Sequence, residues 1–226
     1  MPKKPIARLR HTLARLFSSP EARRHALVGP AHLWQMKRAF QIEYLRRVGL
    51  RPEHRLLDLG CGTLRGGIPL IEYLGPGQYA GLEVRAEVLE EARRELAAAG
   101  LTAKEPRLVH VTDLAAVQLP GRFDFAWAFS VLIHMDDATL GKAVDLVARH
   151  LEPHGRFLAN VRLGAAREER WERFPVVTRA LEFYRGHGAR HGLEVEDLGA
   201  LSELGHLSGD PEQDGQRMLL WRRAGA

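Results

Sequence analysis

Two carboxylates and a run of glycines are the first residues in this chain whose spacing suits chemistry. Leu56, Leu57 and Leu59 form a short apolar run that ends in Gly60-Cys61-Gly62-Thr63-Leu64-Arg65-Gly66-Gly67. The apolar run reads as a buried strand. Ile68 to Leu74, with Pro69 in the first turn, reads as a helix. A strand, a glycine turn and a helix in that order can handle a nucleotide. Glycine lets the backbone take positive φ and lets a ligand approach the main chain. Asp58 lies inside this unit, just before Gly60. A carboxylate there repels a pyrophosphate but suits a ligand with an ammonium or sulfonium group. The spacing after Gly62 also departs from the G-x-G-x-x-G of dinucleotide sites. Glu83 follows roughly 20 residues on, at the end of a second strand, Gln78 to Val84. In a neighbouring parallel strand that acid faces the same crevice, where it can accept both hydroxyls of a ribose.

Asp58-x-Gly60-x-Gly62 resembles the first motif of class I S-adenosylmethionine-dependent methyltransferases. The usual form in that family is acid-x-Gly-x-Gly-x-Gly, and here Leu64 stands at the third glycine position. The run from Phe123-Asp124 to Ser130-Val131-Leu132-Ile133-His134 resembles the fourth motif of the same group, at the matching place in the strand–helix order. The resemblance implies S-adenosylmethionine as cofactor, held by Asp58, Gly60, Cys61, Gly62, Glu83 and Val84. It implies Asp113 at the adenine amino group, the backbone of Leu114 on the ring, and Ser130 beside the methionine part. It puts His134 at the mouth, where a proton acceptor is useful. A histidine with an unperturbed pKa near 6.5 suits an oxygen or nitrogen acceptor. Trp34 and Gln41, on a helix ahead of the first strand, are implied to line the site. Trp171 and His206 lie on later connections, and loops on a rigid sheet tend to hold specificity.

These residues need a scaffold, and the chain supplies one of ordinary size. Its 226 residues suffice for one α/β domain, with 45% hydrophobic and 27% charged residues, as in a soluble globular protein. Strands are expected at Leu56–Leu59, Gln78–Val84, Leu108–Val111, Phe123–Ser130, Arg156–Val161, Leu193–Leu198 and Arg217–Trp221. Helices are expected at Ala31–Leu50, Ile68–Leu74, Glu87–Ala99, Asp137–Leu151 and Pro175–His191. On the first helix, Leu33, Met36, Phe40, Tyr44 and Val48 mark the inner face, and Gln35, Lys37 and Arg38 lie mostly elsewhere. Strands alternating with helices imply a doubly wound, mostly parallel sheet. The resemblance extends this to a seven-stranded, Rossmann-like methyltransferase fold with an antiparallel last strand.

Residues 1–30 form a basic N-terminal arm in this reading. Residues 31–226 form a single methyltransferase domain with a covering helix. Lys3, Lys4, Arg8, Arg10, Arg15, Arg23 and Arg24 face only Glu21, while the whole chain carries +5, so the body is close to neutral. Residues 1–24 suit weak contact with an anionic membrane or a polyanion. The neutral body, and the lack of an Asn-Pro-Pro-aromatic motif after the fourth strand, argue against a nucleic-acid acceptor and for a small molecule. Cys61 is the only cysteine and no paired metal ligands show recognisable spacing, so no metal is expected. No apolar signal core follows the basic N-terminus, so a cytoplasmic enzyme is expected. Two other function classes fit part of the pattern: a nicotinamide-dependent reductase, and a non-catalytic cofactor-binding module on the same fold.

Overall fold

A computed structural model describes residues 27–171 and 174–225. The basic residues 1–24, and with them the proposed arm, fall outside this range except for residues 27–30. Helix α1 (Trp34–Arg47) precedes the first strand. Then come β1 (Leu56–Leu59), α2 (Gly67–Tyr73), β2 (Tyr79–Glu83), α3 (Ala86–Ala98), β3 (Arg107–His110), β4 (Phe123–Ala128) and α4 (Asp137–His150). The second half holds β5 (Leu151–Leu163), β6 (Arg167–Trp171), β7 (Phe174–Arg179), α5 (Leu181–Arg190), β8 (Leu193–Ala200), α6 (Pro211–Asp214) and β9 (Arg217–Arg223).

The expected seven strands run in the order β3-β2-β1-β4-β5-β9-β8. β1 pairs in parallel with β2 and β4, and β4 pairs in parallel with β5. β9 is antiparallel to both β5 and β8. Period-two alternation in β1 sends Leu57 and Leu59 to one core and Leu56 to the other. The first core is closed by α4 and α5, through Leu140, Val144, Val147 and Tyr184. The second is closed by α1, α2 and α3, through Phe40, Tyr44, Ile68, Leu70, Leu89 and Leu96. Asp58 shares the face of Leu56, so it points toward the helix-covered side that carries α1.

Two departures matter for the site. The sheet has nine strands, because β6 and β7 form an antiparallel hairpin where a connection and the start of a helix were expected. The helix begins at Leu181, not Pro175. Val176, Val177 and Thr178 are β-branched and favour a strand. Pro175 is tolerated because it lies near the strand start, away from β5; β7 meets β5 only at Thr178 and Arg179. Second, β5 overruns its expected end at Val161 and continues to Leu163, which gives β7 its pairing partner.

Candidate functional site

The C-terminal ends of β1, β2, β4 and β5 open into one cavity of about 620 Å³. A pocket for a drug-sized ligand typically measures roughly 300–1,000 Å³. The glycine turn forms its floor. Gly60 has φ +68° and Gly62 has φ +58°. A Cβ on Gly60 would come within 2.6 Å of Val131 Cγ2, and one on Gly62 within 2.8 Å of Val28 Cγ1. Both positions therefore require glycine for conformation and for space. Leu64, at the family's third glycine position, takes φ +62° and is fully buried. The turn keeps its left-handed bend there at a cost of about 1–2 kcal/mol, which the burial of the leucine offsets.

Asp58 is 4% exposed and accepts a 2.6 Å hydrogen bond from the Tyr79 hydroxyl. Burial pushes its carboxyl up to about 7; Glu83 adds to the rise, while Tyr79 and Arg65 oppose it. Glu83 is also 4% exposed. Its Oε1 accepts from the backbone N–H of Val84 and Arg85, each at 3.0 Å, and from Arg85 Nε at 3.2 Å. These donors fix the carboxylate at the end of β2. Cys61 lines the cavity, but its sulfur packs against Gly81, where a Cβ would meet it at 2.9 Å. Burial pushes the thiol well up, which makes it an inert packing group.

Ten expected residues line the cavity: Asp58, Gly60, Cys61, Gly62, Glu83, Val84, Leu114, Ser130, His134 and Gln41. Asp113, Trp34 and His206 do not. The Asp113 carboxylate turns to Lys142 at 2.9 Å and caps Ala115 N–H at 3.2 Å; the Lys142 bond holds it below the usual carboxylate range. Trp34 is buried in the packing, with the Arg65 guanidinium 5.9 Å from its ring centre. His206, 1% exposed, stands behind the wall between Phe40 and Phe129 and bonds Asp214 at 2.9 Å. It staples the loop together with Asp214, which also accepts from Ser208 and Gly209. Trp171 ends β6, and its side chain lies outside the described residues.

The side of the cavity facing β7 holds residues not singled out from the sequence. Ser130 has φ +59° and its N–H donates to Asn160 Oδ1 at 2.7 Å; Asn160 in turn donates to Gln216 Oε1. Phe174, Pro175 and Val176 of β7 form the facing wall. His134, in a short turn after β4, places Nδ1 2.9 Å from the carbonyl of Pro175. A carbonyl only accepts, so Nδ1 carries the proton, and in the neutral ring Nε2 is the basic nitrogen. Burial lowers the ring's pKa, the Pro175 bond opposes this, and Arg162 and Arg85 reinforce it. Gln41 spans the roof, donating to Lys37 O and accepting from Trp127 Nε1, each at 3.0 Å. Lys37 is a correction: it is buried on the cavity side of α1, next to Gln41, not turned away.

Residues 56–155 match a family model described as a methyltransferase domain. The match covers 100 of the chain's 226 residues. It favours a methyltransferase over the nicotinamide-dependent reductase. The fold is similar to that of the glycopeptide N-methyltransferase MtfA solved with S-adenosylmethionine, with TM-score 0.63 and 18% identity over 83% of this chain and 94% of that one. It is also similar to magnesium protoporphyrin IX methyltransferase from Synechocystis PCC 6803, with TM-score 0.65 and 18% identity over 94% and 96% of the two chains. At such identity the likeness concerns the fold. (+)-O-methylkolavelool synthase of Herpetosiphon aurantiacus is 33% identical over 96 residues, which span 40% of this chain and 31% of that relative. Among the described residues, no group of three or more His, Cys, Asp or Glu could hold a metal, and no helix is long and apolar enough to cross a membrane.

Proposed function

We propose that this methyltransferase moves a methyl group from S-adenosylmethionine to an oxygen or nitrogen of a small molecule, with His134 as general base. The methyl donor is S-adenosylmethionine. It supplies an electrophilic methyl group and its own leaving group, so the protein's tasks are to hold, align and dry the reactants. Glu83, fixed by its backbone donors, suits the ribose hydroxyls, and the bare glycine turn leaves room at the main chain. Leu114, in the short turn after β3, suits the adenine ring. Phe129, Ile133, Phe174 and Val176 give the cavity apolar walls that exclude water.

The observation that carries the reading is the bond from His134 to Pro175. It fixes the tautomer and the ring, so Nε2 receives the acceptor's proton while Nδ1–H stays on the carbonyl. The lowered pKa keeps the ring neutral, and therefore basic, at pH 7. The solved methyltransferases of similar fold are named for a glycopeptide and a porphyrin, which supports a small-molecule acceptor over a nucleic acid. The test follows adenosylhomocysteine release over a panel of phenols, amines and hydroxylated small molecules. His134→Ala is expected to lower turnover about 10²- to 10⁴-fold, with adenosylhomocysteine affinity unchanged. Wild-type turnover should rise with pH through a pKa below 6.5 and level off by neutrality. Near-normal turnover with the same pH profile in the variant would remove His134 from the chemistry.

A further inference from the structure

We propose that Lys37 and Arg65 form a carboxylate-binding site inside the cavity, taking a carboxylate of the cofactor's methionine part or of the acceptor. This deepens the functional reading above and rests on it. Lys37 comes from α1 and is 6% exposed; Arg65 comes from the glycine turn and is 8% exposed. Both line the cavity. Arg65 donates once, to Val28 O at 2.9 Å, and its Nε is buried without a hydrogen-bond partner. Lys37 Nζ donates to the neutral Gln213 Oε1 at 2.5 Å. Among the described residues no carboxylate forms an ion pair with either cation.

Two buried cations lining one cavity with no carboxylate in direct contact are costly, because each loses its hydration. Their titration shows the strain. Burial, then Arg65, brings the Lys37 ammonium down to about 8, and burial brings Arg65 down to about 10. The nearby acids relieve it only in part. Asp58 faces Arg65 but is itself pushed up to about 7. Asp210 and Asp214 offset part of the Lys37 charge from the α6 side, but neither reaches it with a hydrogen bond; the first bonds Glu212 N–H and the Gln213 backbone and side chain. The second is spent on His206, Ser208 and Gly209. His206, also on that side, lowers no charge on Lys37, since burial keeps its ring neutral. One monoanion from the ligand supplies what is missing, with Arg65 Nε and Lys37 Nζ as charge-assisted donors. Arg65 springs from the same turn as Gly60 and Gly62, which favours the cofactor as the source.

The test is calorimetry of wild type, Lys37→Met, Arg65→Met and Arg65→Lys with two probes. Adenosylhomocysteine carries the carboxylate; 5′-methylthioadenosine shares its adenosine half but lacks the amino-acid part. Each Met variant is expected to bind adenosylhomocysteine about 10- to 100-fold more weakly. Methylthioadenosine should bind all four proteins alike, which also shows that they are folded, and Arg65→Lys should keep most of the affinity. If both probes bind every variant like wild type, benzoate is added to the adenosylhomocysteine-loaded proteins and followed by saturation-transfer NMR. A benzoate signal in wild type that the Met variants lose assigns the site to the acceptor's carboxylate. Equal benzoate behaviour in all proteins overturns the inference, as does an equal loss of both adenosine probes in a Met variant. A wild-type protein that binds neither adenosine probe overturns the cofactor reading beneath it, and this inference with it.

Discussion

Asp58→Asn should make the ligand-free protein more stable at neutral pH. The wild-type acid is 4% exposed, and burial is the main cause of a carboxyl raised from 3.8 to about 7. Below about pH 4 it is neutral in the folded and the unfolded chain alike and costs nothing. Between about pH 4 and 7 the unfolded chain releases the proton while the folded chain keeps it. Stability therefore falls by about 1.4 kcal/mol per pH unit. Above about pH 7 both forms are ionised and the loss levels off near 4 kcal/mol. Asparagine has the shape of the neutral acid, and its Oδ1 can still accept from Tyr79, so the variant escapes this slope. Urea unfolding from pH 4.5 to 8 measures it. The variant's advantage should grow from about 1 kcal/mol at pH 4.5 to about 4 kcal/mol at pH 7.5. Adenosylhomocysteine, which carries an ammonium group, should recover more stability in wild type than in the variant at pH 7.5. Equal stabilities with parallel pH curves would refute the reasoning, because they would mean that Asp58 ionises in the fold without cost.

Glu83→Ala should weaken adenosylhomocysteine binding about tenfold or more, since a charged hydrogen bond contributes roughly 1.5–3 kcal/mol. Calorimetry checks it, and wild-type affinity in a folded variant would take the ribose away from Glu83. Gly66→Ala should destabilise the protein by about 1–3 kcal/mol. Its methyl would overlap the Gln41 amide, push it off Trp127 Nε1 and leave a buried indole N–H unpaired. An unchanged thermal midpoint would show that Gln41 can shift without losing that bond.

The cofactor half of the cavity was legible because residue type alone constrains it. Gly60 and Gly62 stand where only glycine tolerates both the φ and the approach of Val131 and Val28. Glu83 was found by its distance from them along two adjacent parallel strands. Asp113 does not line the cavity; aspartate at a strand end also caps turns, which is what it does with Ala115. His206 was taken for a wall residue because it lies in a polar loop, and nothing in its neighbours' types announces burial between two phenylalanines. Lys37 was read as outward because it is charged. Its place was visible in the spacing: Leu33, Lys37, Phe40, Gln41 and Tyr44 form one helical stripe, and two polar residues on it mark a face that meets a ligand cavity. Asn160 left a similar sign, an amide within the apolar run Phe157-Leu158-Ala159-Asn160-Val161.

The half lined by β7 was less legible because it is built from a hairpin that stands where a connection and the start of a helix were expected. Proline favours the first turn of a helix, and that preference hid a strand that its β-branched successors specify. The consequence reaches the chemistry. β7 presents Phe174 and Val176 to the cavity, and between them the Pro175 carbonyl holds His134. On the mechanism proposed above, the group that aims the base is thus main chain, while the groups that shape the acceptor pocket are side chains on the same strand. Replacing Phe174 or Val176 can reshape the pocket without touching the bond to Nδ1, as long as β7 keeps its pairing with β5 at Thr178 and Arg179. If His134 is the base, acceptor choice can change on this strand while proton transfer stays in place, because β7 is anchored to β5 by the overrun to Leu163.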